Sequence, residues 1–285
     1  MLRLVGGRAV TTGAAWCALG RLAGAQVAGI GVDPHMVVLT AARPSGEITV
    51  MNPHASRAEF SVDLRFGFAT TDSNGKLTVR LTDGPDSASA ANWVTPYPRQ
   101  FTLRPGGSRT VRLLARPPAD LSDGEYWARL TVHARDDSSR PIGDGDSTSA
   151  NVHIAMETAT VIPVFYRKGA VSTGITVSAL EATAMRNGIG VEATLTRTGN
   201  GAFIGTAHLM VRDSAGNTVA VVERQIAVYR TMRPRWSIAL PASASGQRCS
   251  VALRLSTNRR DVPRNLIVQS AAAETVVAVV KDSLP

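Results

Sequence analysis

The chain of 285 residues is 44% apolar, 5% aromatic and 19% charged, with a formal net charge of +9. A prior of about 100 to 200 residues per domain predicts two domains. Val, Ala and Thr are abundant, which suits strands better than amphipathic helices and favours an all-β protein. The positive charge is scattered rather than gathered beside stacking aromatic residues, and this argues against nucleic-acid binding.

Residues 1–25 have the pattern of a secretory signal peptide. Arg3 and Arg8 precede a mostly apolar stretch, and Ala23-Gly24-Ala25 supplies a small-x-small cleavage site. The apolar run is shorter than the ~20 residues that cross a bilayer, which favours cleavage over a membrane anchor. We therefore expect an exported protein in the periplasm, with secretion or a place on the cell surface as the alternative.

Short apolar runs separated by turn residues extend from Val32 to Phe165, at spacings of about 8 to 12 residues that are typical of β-sandwiches. The predicted strands lie near residue 38 and at 47–52, 59–66, 77–81, 99–103, 109–115, 126–134 and 151–166. Turns are predicted at Asn52-Pro53, Asn74-Gly75, Pro105-Gly106 and Asp123-Gly124.

A second series of alternating runs begins after Gly169. Its segments are ITVSAL, GVEATLTRT, GTAHLMVRD, VAVVERQIAVY, WSIAL, SVALRLS and ETVVAVV, with a hairpin loop at 213–217. We expect two immunoglobulin-like β-sandwich domains, 30–168 and 170–285, joined by a tight linker near Gly169 that fixes their relative angle.

The sequence contains no pattern that favours an enzyme, a cofactor or a metal. Its five histidines have no ligand spacing, and neither a nucleophile elbow nor a phosphate loop is present. Only Cys249 remains after cleavage, so no internal disulfide can form, and its alternating surroundings predict a buried thiol. Protein binding is therefore the predicted function.

The last strand of the first predicted domain, 151–166, is long. Its roughly 16 residues exceed the usual five or six. Val152, Ile154 and Met156 share one face of this strand because side chains alternate along it. The strand either belongs wholly to the core or overhangs its neighbours and presents a free edge to a partner.

Five segments of the first domain form an ordered set of motifs. They are GVDPHMVVL at 31–39, EITVMNP at 47–53, FTLRPGGSRTVRLL at 101–114, LSDGEYWARL at 121–130 and TVIPVFYR at 160–167. In this order and spacing they resemble the periplasmic pilus chaperones, the PapD-like proteins, over about residues 30–168.

The resemblance implies donor-strand complementation, in which a chaperone lends a strand to the incomplete sandwich of a pilin-like subunit. It implies that Val152, Ile154 and Met156 enter the groove of that partner, or of another β-rich exported protein. It admits an outer-membrane usher as a second partner.

The resemblance also implies an ion pair that braces the two domains. Arg112 and Glu125 match its positions in the first domain. Asp261 is the candidate acid of the second domain.

The two cationic anchors that hold the subunit's terminal carboxylate in this family are absent, because the matching positions are Met36 and Val161. A carboxylate without charge-assisted donors would bind weakly. Arg167, Lys168 or Arg43 is expected to replace the anchors, or else the ligand differs. The alternative function is a secreted or surface structural or adhesive immunoglobulin-like module without chaperone activity.

Overall fold

The computed structural model describes residues 30–136, 157–244, 247–270 and 275–281. In these ranges the chain forms 18 β-strands and two single-turn 3-10 helices, Ala242–Ala244 and Arg264–Leu266. The predicted all-β fold is confirmed. The predicted signal peptide, 1–25, lies outside the described residues.

The first ten strands form two sheets that pack face to face, and we call this unit the first sandwich. The strands are β1 (Gly31–Asp33), β2 (Val37–Thr40), β3 (Ser45–Met51), β4 (Ala58–Thr71), β5 (Leu77–Thr82), β6 (Val94–Tyr97), β7 (Gln100–Leu103), β8 (Ser108–Ala115), β9 (Gly124–Asp136) and β10 (Glu157–Lys168).

One sheet of the first sandwich has the order β1, β3, β8, β6. The other has the order β2, β10, β9, β4, β5, and β7 also pairs with β4. The chain passes from one sheet to the other between β1 and β2. This places β2 parallel to the end of β10.

The core of the first sandwich, which we call the first core, follows from alternation along the strands. In β4, Phe60 and Val62 are buried while Glu59 is exposed, as the sequence pattern predicted. Aliphatic residues from both sheets meet them, including Leu39, Ile48, Leu113, Leu130 and Val164. Each fully buried aliphatic side chain contributes about 1.5–3 kcal/mol of transfer free energy.

The remaining eight strands form the second sandwich. They are β11 (Thr173–Met185), β12 (Gly188–Gly199), β13 (Phe203–Asp213), β14 (Thr218–Val228), β15 (Thr231–Met232), β16 (Arg235–Ala239), β17 (Cys249–Ser256) and β18 (Thr275–Lys281). Their order is β14, β13, β17, β18, β11, β12, β15, and β16 also pairs with β12.

Strand β11 joins the two halves of the second sandwich. It pairs along most of its length with β12, and with the described residues of β18 at Ala182 and Thr183. An irregularity between Ser178 and Glu181 interrupts its register, and bulges of this kind bend a strand. The two halves can therefore enclose one core, in which Cys249 is buried at 4% exposure as predicted. Burial raises the pKa of its thiol.

The sequence pattern located most strands but missed three short ones. Strands β1, β6 and β15 were not among the predicted strands, and with two to four residues each they show little periodicity. The loop predicted at 213–217 does connect two paired strands, β13 and β14.

Candidate functional site

Strand β10 has a neighbour along the whole of one side and along only part of the other. Every residue from Glu157 to Lys168 pairs in register with β9. On the other side β2 pairs with residues 164–167. In the described part of the chain, residues 157–163 have no strand on this second side, and we call this stretch the free edge. Unpaired main-chain groups along such an edge can accept a further strand.

The free edge carries side chains that suit contact with another protein. Glu157, Ala159 and Val161 are exposed, whereas Ile162 is buried in the first core. Val161 is 39% exposed. Pro163 has no N–H to donate, and proline within sheets is confined to edges and bulges. An edge of this kind is the surface on which strand addition takes place.

The three predicted donor residues, Val152, Ile154 and Met156, lie outside the described residues. In sequence they come directly before Glu157, the first residue of the free edge. Their role therefore stays a prediction.

Glu125 lies where the two sandwiches meet, and its side chain is fully buried. Its Oε2 accepts a 2.7 Å hydrogen bond from Nε of Arg167, whose side chain is 14% exposed. Its Oε1 accepts bonds from Nε1 of Trp127 at 3.0 Å and from the main-chain N–H of Ala202 at 2.9 Å. Arg167 also donates to the carbonyl oxygen of Leu266. The pair thus ties β9 and β10 to two segments of the second sandwich.

The structure corrects the predicted pairing of Arg112 with Glu125. Arg112 lies on β8, in the other sheet of the first sandwich, and its Nε donates to Oε1 of Glu47 at 2.9 Å. Its neighbours Val111 and Leu113 point into the first core, so alternation turns Arg112 outward, where its side chain is 77% exposed. Glu125 is at the interface, but its cation is Arg167.

The acid suggested for the second domain is also engaged elsewhere. Asp261 pairs with Arg259, two residues before it. That hydrogen bond holds the pKa of Asp261 below its usual range. The interface carboxylate is therefore supplied by the first sandwich.

Aromatic side chains form a second layer of contacts between the sandwiches, with Tyr229 at its centre. The ring of Trp127 meets that of Tyr229 edge-on at 4.9 Å between centroids, and the ring of Phe165 stacks on it at 6.1 Å. Phe68 lies 6.3 Å away, and the guanidinium of Arg129 lies 5.1 Å from the Tyr229 centroid. Burial raises the pKa of Tyr229. Such pairs add about 0.5–1.5 kcal/mol each beyond the area that they bury.

The position of the first missing anchor, Met36, belongs to this apolar layer. Met36 is 6% exposed and packs in a cluster with Phe66, Phe165 and Ile204. The second position, Val161, lies on the free edge. The site where the family resemblance places an arginine is thus filled by a thioether and aromatic rings.

Two of the three cations predicted to replace the anchors, Arg167 and Lys168, have partners inside the molecule. Arg167 is bound to Glu125 and Leu266. The Nζ of Lys168 donates to the carbonyl oxygen of Leu121, and Lys168 is half-buried. Their predicted role as anchors for a partner's carboxylate remains a prediction.

The hairpin of β4 and β5 makes a third contact between the sandwiches. At its turn, the carbonyl oxygen of Gly75 accepts from the N–H of Arg235 at 2.9 Å. The N–H of Arg233 donates to the hydroxyl of Thr71 at 3.0 Å. Arg233 and Arg235 both bind Glu192, and the bond from Arg235 holds the pKa of that carboxyl below its usual range. This stabilisation is present above the ordinary carboxyl pKa and is lost as the pH falls through the lowered value.

The linker is short and closely held. Nδ2 of Asn200 donates to the carbonyl oxygen of Ala170 at 3.0 Å, and its Oδ1 accepts from the N–H of Ser172 at 2.9 Å. The N–H of Glu125 donates to the carbonyl oxygen of Asn200 at 3.1 Å. Gly169 adopts φ 59°, a left-handed conformation that favours glycine.

Sequence reasoning missed Tyr229 and Arg197, which belong to the interface. Arg197 donates to the carbonyl oxygen of Tyr229 at 2.7 Å, and burial lowers its pKa. Neither stands in a recognisable motif. Arg167 lies directly opposite Glu125 in the antiparallel register of β9 and β10, a relation that only the strand pairing reveals.

Among the described residues, no group of three or more His, Cys, Asp or Glu side chains is arranged to hold a metal ion. The same residues include no helix that is long and apolar enough to cross a membrane.

No model of a known protein family matches this sequence, and no curated protein matches it. Solved structures of chaperones are similar to it. The YadV chaperone has a TM-score of 0.47 and 11% identity, covering 87% of this chain and 100% of that chain. The E. coli chaperone DraB has a TM-score of 0.44 and 15% identity, with coverages of 89% and 97%.

A chain of the CsuC–CsuE chaperone–tip adhesion subunit pre-assembly complex from the archaic chaperone-usher Csu pili of Acinetobacter baumannii is also similar. Its TM-score is 0.42 at 12% identity, covering 90% of this chain and 100% of that chain. At TM-scores below 0.5 these likenesses give no residue-by-residue correspondence.

Proposed function

We propose that this chain is a periplasmic chaperone-like protein that binds a β-rich exported protein by adding a strand to it. In this proposal the free edge and the preceding residues 151–156 pair with the partner's sheet, and Val152, Ile154 and Met156 fill its groove. Pilins and tip adhesion subunits, the partners named for similar structures, are the kind of protein proposed. The two domains are proposed to span 30–168 and 170–285.

The observation that carries the proposal is the free edge itself. Proteins usually cover or blunt an edge strand, because exposed main-chain donors and acceptors invite association. Among the residues that the structure describes, no strand pairs with the outer side of 157–163, and Ala159 and Val161 are exposed there. Main-chain hydrogen bonds along such an edge give affinity, and alternate side chains give specificity.

The experiment is capture of exported proteins from periplasmic extracts, followed by mass spectrometry and hydrogen exchange of the purified complex. Ile154→Asp and Val161→Lys should each abolish capture of a β-rich partner, because a charge would enter the groove or the new sheet. Val279→Lys is the matched control, since Val279 is 71% exposed on the second sandwich.

Binding should also slow amide exchange along residues 157–162 in the wild-type complex. Equal capture by all three variants, or unchanged exchange in this stretch, would contradict strand addition through β10.

A second candidate function, a structural or adhesive surface module, is favoured by the apolar surroundings of Met36. A carboxylate has no charged donor there, since Met36 packs among aromatic rings. This candidate requires the protein to stay on the cell surface or in the medium and to form stable homomeric contacts. Cell fractionation distinguishes the two, because a soluble periplasmic monomer would exclude the surface module.

A further inference from the structure

An imidazole joins three strands at the beginning of the free edge. Nε2 of His133 on β9 lies 3.2 Å from Oδ1 of Asp63 on β4. Nδ1 of the same ring lies 3.0 Å from Oε1 of Glu157, the first described residue of β10. Each ring nitrogen therefore faces a carboxylate, and the two carboxylates come from opposite sides of the central strand.

Strand register explains why these side chains meet. His133 lies opposite Ser61 of β4 and Ala159 of β10. Asp63 and Glu157 are each two residues away from those partners, so they stand on the same face as His133 and approach it diagonally. Diagonal neighbours in a sheet are about 7–8 Å apart at the backbone, within the reach of long side chains.

The protonation state of the ring decides whether both contacts are hydrogen bonds. An imidazolium donates from both nitrogens, whereas a neutral imidazole has one donor and one acceptor. Only the protonated ring can satisfy both carboxylates. In the neutral ring, one nitrogen lone pair faces a carboxylate oxygen.

Other charged side chains lie on the same face of the sheet as the ring. Glu59 and Arg135 line the same groove, and Arg135 lies in register between Glu59 and Glu157. Strand β7 contributes Gln100 and Thr102, which are neutral. Arg65, two residues after Asp63 on β4, interacts electrostatically with that carboxylate, so both signs of charge are present on this face.

We propose that His133 is a proton-dependent latch that fastens the beginning of the free edge to the rest of the sheet. When the ring is protonated, it ties Glu157 on β10 to Asp63 on β4. The latch closes when the ring takes up a proton and opens when the ring loses it, because only the imidazolium donates from both nitrogens. When the ring is neutral, one of the two hydrogen bonds to a carboxylate is lost, and the beginning of β10 is held less firmly.

The inference rests on the proposed function for its biological meaning. If the free edge binds a partner strand, a closed latch orders that edge before binding and reduces the entropy lost on association. The regulated property would be the affinity of the edge for its partner, which should be higher at acidic pH.

The test is amide hydrogen exchange of the free protein, with protection factors for residues 158–162 compared at about pH 8 and about pH 5.5. Protection should rise roughly two- to fivefold at the lower pH, the range expected from partly exposed ion pairs. In His133→Gln this rise should disappear. Asp63→Asn keeps the ring but removes one carboxylate, and it should also abolish the rise because an amide can donate to the neutral ring.

His208→Gln is the matched control. Nδ1 of His208 lies 3.3 Å from Glu223, but its Nε2 faces the hydroxyl of Ser256 at 3.4 Å, so a neutral ring satisfies both neighbours. This variant should keep the wild-type response. Far-UV circular dichroism of each variant checks that the strands are retained.

The latch is overturned if wild-type protection of residues 158–162 is the same at both pH values, or if the rise persists in His133→Gln or Asp63→Asn. No partner is needed for these measurements. Failure here therefore leaves strand addition intact, and failure of partner capture leaves the latch intact.

Discussion

At the scale of the residue, Glu125 shows how a buried charge is held between the sandwiches. Its carboxylate accepts from a guanidinium, an indole and a main-chain N–H, with donor distances of 2.7–3.0 Å. A buried carboxylate is stable only when it is paired and its remaining acceptor sites are satisfied. All three donors would lose their acceptor together if the carboxylate were removed.

Glu125→Ala should lower the free energy of unfolding by about 3–5 kcal/mol, because Arg167 would remain as an uncompensated buried charge. Glu47→Ala is the matched control, since Glu47 also binds an arginine but is 54% exposed. It should lower the free energy of unfolding by less than about 1 kcal/mol. Urea denaturation measures both, and similar losses for the two variants would refute the bracing role of Glu125.

The family resemblance placed Glu125 between the domains but paired it with Arg112, whereas the cation bound to Glu125 is Arg167. Arg112 lies in a strand whose alternating pattern already turned it away from the core. The register of β9 and β10 was needed to place Arg167 opposite Glu125, and that register depends on pairing across a segment of the chain rather than on any local motif.

At the scale of the element, the hairpin of β4 and β5 reaches beyond its own sandwich. Gly75 at its turn has φ 75°, and its carbonyl oxygen binds the N–H of Arg235. A Cβ atom at position 75 would lie 2.5 Å from Cβ of Arg235 and 2.8 Å from its nitrogen. Glycine is therefore required here both by the turn and by the contact.

Gly75→Ala should destabilise the protein more than Gly216→Ala. Gly216 also has a positive φ, 85°, but a Cβ there meets nothing within 4 Å. The Gly216→Ala control therefore measures only the free-energy cost of an alanine in the left-handed conformation, about 1–2 kcal/mol. The additional destabilisation of Gly75→Ala measures the loss of the hairpin contact. Thermal unfolding measures this difference. Equal shifts in Tm would show that the hairpin contact adds nothing to stability.

The elements themselves were largely predictable. Alternation in 59–66 and the glycine turns at Asn74-Gly75 and Pro105-Gly106 are local properties, and the strands and turns lie where they indicated. The pairing of the strands was harder to predict from the sequence. The chain enters one sheet as β1 and the other as β2, a change that leaves no periodic signal in the sequence. Because β1 lies in the other sheet, β2 reaches only residues 164–167 of β10, and no other described strand pairs with that side of 157–163.

At the scale of the whole molecule, the two sandwiches are joined by the linker, by the Glu125–Arg167 pair, by the layer around Tyr229 and by the hairpin. Tyr229 belongs to the second sandwich, but its ring packs against Phe68, Trp127 and Phe165 of the first. We expect these contacts to make the sandwiches unfold together.

Tyr229→Ala should lower the free energy of unfolding by about 3–5 kcal/mol and divide unfolding into two transitions, because it leaves a cavity in the layer that couples the sandwiches. Differential scanning calorimetry measures the transitions, and small-angle scattering should show a larger radius of gyration. Tyr97→Ala, at a tyrosine that is 75% exposed, should change neither property. A single transition with unchanged scattering would be incompatible with this coupling.

The packing of one sandwich on the other was beyond the reach of the sequence. The tight linker near Gly169 was predicted to fix their angle, but the residues that meet, such as Phe68 and Tyr229, are far apart in the chain. Because both residues are largely apolar, the sequence equally allows each of them to lie in the core of its own sandwich. Only the relative placement of the two sandwiches shows that Phe68 and Tyr229 lie between them.

The length of β4 has a consequence for related chains. This strand has 14 residues, and its first half lines the first core while its end carries the turn that meets Arg235. Removing two residues from each arm of the hairpin would withdraw the turn by about 7 Å. The length of the hairpin thus helps to set the distance between the sandwiches, and chains with shorter or longer arms would hold their two sandwiches at different separations.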